Sequence, residues 1–289
     1  MVTFTLPSEL RSLFYGDFAK TAFDLFFESS TAALKEKLGE PKYLGATDSG
    51  FIGVLHTWNQ QLQLHPHIHY IVPATGLNSK GEVVTGKGDK YLVNINRLKG
   101  AFRQHIKQRI EENGTQVNPK VWRMSSKKWA INVKNFGNGC NAIKYLGRYV
   151  CRTAISDSRI KKVTDSHVTF QYKNRDTGSK EISTITGSEF AKRYLRHVLP
   201  RGLRSIRYFG FMHPAAKKKH ELITRHHALL GRDPAPRPCP QLEALLELAK
   251  QKPTCPDCDL EMTVVAKISR LGAKPRPRPR APPKRTTAL

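Results

Sequence analysis

Leu64-His65-Pro66-His67-Ile68-His69-Tyr70-Ile71-Val72-Pro73-Ala74 is the stretch whose reading decides the fold. Three histidines stand at alternate positions and an apolar, β-branched run follows them. Alternate side chains of a β-strand share a face. His67 and His69 therefore point the same way, about 6.6 Å apart along the strand. Two imidazoles at that separation can grip one metal ion. The plain alternative is a strand whose wet face carries histidines.

Working outward, Phe51-Ile52-Gly53-Val54-Leu55-His56-Thr57-Trp58 reads as a buried strand. It is close enough in sequence to pair with the histidine strand as an antiparallel hairpin, with a loop of about ten residues. That pairing brings His56 near His67. Residues 2–6 alternate as a short strand that stops at Pro7. Residues 8–39 carry helical spacing, with Phe14, Phe18, Phe23, Phe26, Leu34 and Leu38 on a core stripe. A second helix is predicted over residues 96–113, where Leu98, Phe102, Ile106 and Ile110 recur on one side. Residues 75–90 read as loop. Residues 117–133 contain strand material, with Trp122 and Trp129 in basic surroundings. Residues 168–173 and 181–185 alternate as strands around a turn, and a basic helix is predicted over 187–199.

The composition speaks about partners. Lys and Arg number 49 against 23 Asp and Glu in 289 residues, a net charge of +26. So large a one-signed charge favours phosphate backbone as partner. No apolar run approaches the ~20 residues of a membrane span, and no signal peptide is visible at the start. The five cysteines, an odd count, argue for reduced thiols rather than a disulfide framework. A cytoplasmic location is expected.

From about residue 233 the composition shifts to proline-rich sequence and ends in Lys274-Pro275-Arg276-Pro277-Arg278-Pro279-Arg280. The expected division is a catalytic domain over 1–232 and a Pro/Arg-rich, partly disordered tail over 233–289. Cys255 and Cys258 in that tail have the spacing of half a structural zinc site, or are a plain pair of thiols.

Residues 141–152, Asn141-Ala142-Ile143-Lys144-Tyr145-Leu146-Gly147-Arg148-Tyr149-Val150-Cys151-Arg152, read as an amphipathic helix. Tyr145 and Tyr149 are one turn apart on one side. Lys144, Arg148 and Arg152 form a cationic row, either a solvated face or contacts to phosphate. Tyrosine hydroxyls can attack phosphorus if the phosphate charge is neutralised. Arg204, Arg207, Lys217 and Lys218 belong to the densest basic patch before the tail, with Tyr208 and Phe209 available either to stack bases of a single strand or to pack in the core.

Together these residues carry a resemblance. His67-Ile68-His69 is a His-hydrophobe-His (HUH) motif, and Tyr145-Leu146-Gly147-Arg148-Tyr149 is a two-tyrosine motif. In this order, with Val54-Leu55-His56-Thr57-Trp58, Gly187-x-Glu189-Phe190 and His197-Val198-Leu199-Pro200 around them, the chain resembles the two-tyrosine HUH rolling-circle transposases of bacterial insertion sequences over residues 2–215. The resemblance implies an α+β fold, a ferredoxin-like or RNA-recognition-like antiparallel sheet with a packed tyrosine helix. It implies a nucleoid-associated enzyme that cleaves and joins single-stranded DNA at mobile-element ends with Mg²⁺ or Mn²⁺. His67 and His69 would be metal ligands and Tyr145 and Tyr149 the nucleophiles. His56 is the expected third ligand, with His65 its competitor. Relatives carry a cysteine-rich, zinc-type region upstream of the phrase matching residues 2–7, where this chain starts. A relaxase or replication initiator would share the chemistry, and a non-catalytic DNA-binding protein is the rival of another class.

Overall fold

A computed structural model of the protein describes residues 1–86, 92–125, 128–137, 154–174 and 177–231. All fall in Met1–Ala235, the first of two units into which the chain divides. In chain order the first elements are strand β1 (Val2–Thr5), helix α1 (Ala19–Gly39), β2 (Asp48–Ser49), β3 (Phe51–Trp58), β4 (Leu64–Ile71), β5 (Thr75–Leu77) and β6 (Val83–Thr85). Helix α2 (Ile95–Glu112), the short α3 (Pro119–Met124) and β7 (Ala130–Val133) follow. Then come β8 (Ile160–Val163), β9 (His167–Lys173), β10 (Lys180–Thr186), α4 (Gly187–Leu195), β11 (Ile206–Phe209) and α5 (Lys217–Leu229).

The main sheet has the order β11-β3-β4-β1-β7, and every neighbouring pair is antiparallel. Its β1-α1-β3-β4-α2-β7 course, with β1 and β4 central, is the ferredoxin-like split βαβ arrangement, and β11 extends it at the β3 edge. The fold class expected from sequence is thus the one observed, a mixed α+β protein built on an antiparallel sheet.

Strand alternation divides this sheet into two chemically different faces. Val2 and Phe4 of β1, Phe51 and Leu55 of β3 and Ile68 and Tyr70 of β4 are buried in one core with Phe23, Phe26 and Phe27 of α1 and Leu98, Phe102, Ile106 and Ile110 of α2. Phe4 meets the rings of Phe102 and Tyr70 edge-on, at centroid distances of 4.9 and 5.7 Å. Each such side chain contributes roughly 1.5–3 kcal/mol through removal from water. The Tyr70 hydroxyl is driven deep into this layer. It bonds Ser30 Oγ of α1 at 2.7 Å, and burial raises its pKa to about 12. Gly53, on β3 beside it, has no room for a side chain: an added Cβ would lie 2.6 Å from the Tyr70 ring. The other face carries Thr3 and Thr5, His67 and His69, and His56, which the registers Thr3↔His69, Thr5↔His67 and His56↔His67 bring side by side.

Two smaller sheets complete the described residues. β2-β5-β6 occupies the region read from sequence as loop. β8-β9-β10 builds a second core in which Phe170, Ala154 and Ile155 pack with Leu62 from the β3–β4 turn. The helical region read over 8–39 resolves into 3₁₀ turns at Ser8–Phe14 and Gly16–Phe18 before α1. The helix predicted over 187–199 ends at Leu195. Trp122 and Trp129 are core residues, stacked with centroids 6.5 Å apart, and not part of a basic surface.

Candidate active site

The β3–β4 hairpin builds the site. Its turn occupies residues 59–63, half the length expected, and the pairing His56↔His67 follows the predicted one. The register shifts between His56 and Trp58. Pro66 lies in that irregularity, where a residue without an N–H costs no ladder bond.

His56, His67 and His69 form a near-equilateral cluster. Ring centroids lie 5.2 Å apart for His56 and His67, 4.8 Å for His56 and His69, and 5.0 Å for His67 and His69. One nitrogen from each ring falls within 4.8 Å of the others, so the trio can hold a metal ion, and among the described residues it is the one such group. His56 and His69 are buried. Burial first, and then the neighbouring imidazoles, push the pKa of His56 down to about 2 and that of His69 down to about 3. Both rings are therefore neutral at ordinary pH, the state in which imidazole donates a lone pair.

Hydrogen bonds orient the rings. His67 Nδ1 donates to the His65 carbonyl at 2.7 Å. A carbonyl only accepts, so the lone pair of neutral His67 is on Nε2. His69 Nδ1 bonds Thr3 Oγ1 at 2.8 Å. Outer bonds of this kind fix the tautomer of a ligating histidine. Trp58 stacks on His56, with centroids 5.6 Å apart and planes 18° from parallel.

His65 lies beside His67, with ring centroids 5.3 Å apart, but it is not in the group of converging ring nitrogens. Arg11 Nη2 donates to its Nδ1 at 2.8 Å. Arginine has no acceptor, so the Nδ1 lone pair is engaged and the neutral ring carries its proton on Nε2. Of the two candidates for third place, His56 joins the cluster and His65 faces Arg11.

The remaining sequence-predicted residues divide. Tyr145 and Tyr149, the cationic row Lys144, Arg148 and Arg152, and the thiols Cys255 and Cys258 lie outside the described residues. Arg204 is exposed, and Lys217 and Lys218 are exposed at the start of α5. Arg207 is turned inward: it pairs with Asp24 and lies over the Phe27 ring at 4.2 Å. Its charge is spent within the fold, because register places it on the helix-covered face opposite Gly53. Phe209 likewise packs on Phe51 at 5.2 Å, whereas Tyr208 is exposed.

Sequence reasoning missed Thr3, Arg11 and the role of His197. Thr3 was visible as an outward position of an alternating strand, but its partner depends on the β1–β4 register. Arg11 sits among helix-like residues without any local signal. His197 was seen only as part of a phrase. It is buried, donates from Nε2 to the Leu62 carbonyl at 3.0 Å, and accepts from Thr57 Oγ1 at 3.2 Å.

Comparison with known proteins adds to this geometry. The sequence model of the Y2_Tnp family, described as "Putative transposase", matches residues 50–220, a span that includes the whole β3–β4 hairpin. Two curated relatives are similar. One is "Putative transposase y4qJ" of Sinorhizobium fredii, 29% identical over 255 residues, covering 81% of this chain and 63% of the relative. The other is "Transposase for insertion sequence element IS801" of Pseudomonas savastanoi pv. phaseolicola, 27% identical over 288 residues, covering 93% of this chain and 68% of the relative. The chain thus spans less than two thirds of the first relative's length. With the family model aligned to more than half of its residues, the chain belongs to the Y2_Tnp transposase family.

Proposed function

We propose that the protein is an HUH-type transposase that cuts and rejoins single-stranded DNA at the ends of a mobile element. The observation that carries this reading is the cluster of three histidines on the face of a ferredoxin-like sheet opposite its helices, in a chain of a transposase family. His56, His67 and His69 are the proposed ligands, and Mg²⁺ or Mn²⁺ the proposed ion. A divalent cation there supplies charge neutralisation at the scissile phosphate. His67 and His69 are held for this task by the His65 carbonyl and Thr3.

Tyr145 and Tyr149 are the proposed nucleophiles. A tyrosine hydroxyl attacks phosphorus, its proton leaves to solvent or a nearby base, and the bond from phosphorus to the 3′-oxygen breaks. The products are a 5′-phosphotyrosine and a free 3′-hydroxyl. One phosphodiester replaces another, so the reverse attack by a 3′-hydroxyl rejoins strands. Two tyrosines allow two such linkages to be held in turn. Lys144, Arg148, Arg152, Arg204, Lys217 and Lys218 are proposed to contact phosphate. Cys255 and Cys258 are proposed as half of a zinc site in a Pro/Arg-rich tail beginning near residue 233. The proposed place of action is the bacterial nucleoid; no helix among the described residues is long and apolar enough to cross a membrane.

The test is covalent capture. The protein is incubated with a labelled, sequence-randomised library of single-stranded oligonucleotides and Mn²⁺, then denatured. A labelled protein band is expected, absent with EDTA and absent in the Tyr145→Phe/Tyr149→Phe double variant. An adduct that persists in that variant, or no adduct from any member of the library, would overturn the mechanism.

A further inference from the structure

Beside the histidine cluster, on the β1 and β7 side, lies a cleft of about 550 Å³. Thr5 of β1, Asn132 of β7, His65, His69, Arg11, Lys128 and Lys134 are among its lining residues, and no carboxylate is. Lys128 is paired with Glu9. Arg11 is different. Its guanidinium is half-buried, its Nη2 is fixed on His65, and its Nε is buried with no hydrogen-bond partner among the described residues. It makes no ion pair among the described residues. A guanidinium cannot shed its charge at any ordinary pH; the nearby Glu9 carboxylate acts on it through space but is paired with Lys128, so the partly desolvated charge is better completed by a further anion. Lys134, exposed at the end of β7, adds a second cation to the same wall.

We propose that this cleft is a phosphate-binding subsite for single-stranded DNA, in which Arg11 grips a backbone phosphate next to the one held at the histidine cluster and Lys134 steadies the strand beyond it. This deepens, and rests on, the HUH reading above. Three properties match that ligand. The cations are presented by side chains along a sheet face and not by a closed pocket, as a polyanion requires. Thr5 and Asn132 offer neutral hydrogen-bonding groups between them. The guanidinium also has a forked donor geometry suited to two oxygens of one phosphate. The cleft adjoins His69, so a strand lying in it is continuous with the cluster.

The probe is a fluorescent oligothymidylate of twenty nucleotides, with a duplex of equal length as control, both titrated against the full-length protein in EDTA over a range of salt. For single strands, log K falls with log salt by about 0.7 per phosphate neutralised. Arg11→Ala is expected to bind the single strand about tenfold more weakly, with a slope shallower by about 0.7. Arg11→Lys is expected to keep the slope, and Lys134→Ala to show a smaller version of the alanine effect. Duplex binding should change little. Mn²⁺ affinity of the DNA-free Arg11→Ala protein should equal that of the unaltered chain, which separates lost contact from lost fold. Unchanged affinity and slope in Arg11→Ala would overturn the subsite, as would a weakening with unchanged slope, or an equal loss on duplex. If Arg11→Ala does not fold, Arg11→Gln and Lys134→Ala carry the same test. The covalent-capture experiment fails independently: no adduct, with the expected slope change, sinks the HUH reading and leaves the phosphate subsite standing.

Discussion

At the scale of single residues, Thr3 is the least conspicuous member of the site. Its hydroxyl bonds His69 Nδ1 at 2.8 Å. Thr3→Val keeps shape and β-propensity and removes that bond alone. Outer partners of ligating histidines are commonly worth 10–100-fold in metal affinity. Mn²⁺ titration of Thr3→Val, followed by electron paramagnetic resonance, should show weakening in that range; unchanged affinity would mean that His69 is oriented by packing instead. The histidines also set a pH dependence. His56 and His69 have folded pKa values near 2 and 3, against an ordinary 6.5. Between these limits the unfolded chain binds protons that the folded one refuses, so stability rises with pH. The contribution is complete above pH 6.5 and is lost on acidification, at about 1.4 kcal/mol per pH unit for each group. In metal-free buffer, urea unfolding at pH 5.5 should report roughly 2–3 kcal/mol less stability than at pH 7.5. His56→Asn should remove about half of that difference.

At the scale of elements, the β3–β4 turn is held from outside. Three successive carbonyls each accept from a side chain of the segment around β8–β10 and α4: Gln60 from Arg159, Gln61 from Arg193 at 3.3 Å, and Leu62 from His197. Leu62 needs such support, since its φ of +60° is unfavourable for a residue with a branched side chain. Its complete burial against Phe170 helps to keep it there. His197→Ala leaves that buried carbonyl without its donor, at a cost of about 1–3 kcal/mol, readable in a urea midpoint. Gly53→Ala should cost a similar amount, about 1–3 kcal/mol, through overpacking against Tyr70. A neutral result at Gly53 would show that the Tyr70 ring can shift without releasing Ser30. Legibility in the sequence follows the range of the interaction. α1, α2 and the histidine hairpin were readable because their periodicity or pairing is local. β11 was read only as cationic and aromatic residues, because its strand character depends on β3, about 150 residues earlier. The inward turn of Arg207 was hidden for the same reason.

At the scale of the whole molecule, an ion held by the proposed histidine ligands and the fold would form one thermodynamic system. Any ion that binds the folded chain alone stabilises it by RT ln(1 + [L]/Kd), about 2.7 kcal/mol at a hundredfold excess over Kd. Imidazole ligands suit Mn²⁺ better than the harder Mg²⁺, and Zn²⁺ better than either. Thermal unfolding should therefore shift upward more in Mn²⁺ than in equal Mg²⁺, and Zn²⁺ should compete with both. Equal shifts in His67→Ala would place the binding elsewhere. Composition points to a polyanion partner, but charge count alone could not say where contact is made. Arg207 shows why: a surface-like arginine in the sequence is an internal counter-ion in the fold. Arg11 shows the reverse, an arginine inside a helix-like stretch that makes no ion pair among the described residues and stands beside the histidines.

The strand order has one more consequence, which concerns synthesis. β4 lies between β3 and β1, so the strands that carry the three histidines, and the strand that carries Thr3, all belong to residues 2–71. The histidine trio and its Thr3 tether are therefore synthesised before the partners that close the sheet, β7 and β11. The metal-binding half of the proposed site is thus encoded in one contiguous segment, ahead of β7 and β11, which complete the sheet around it.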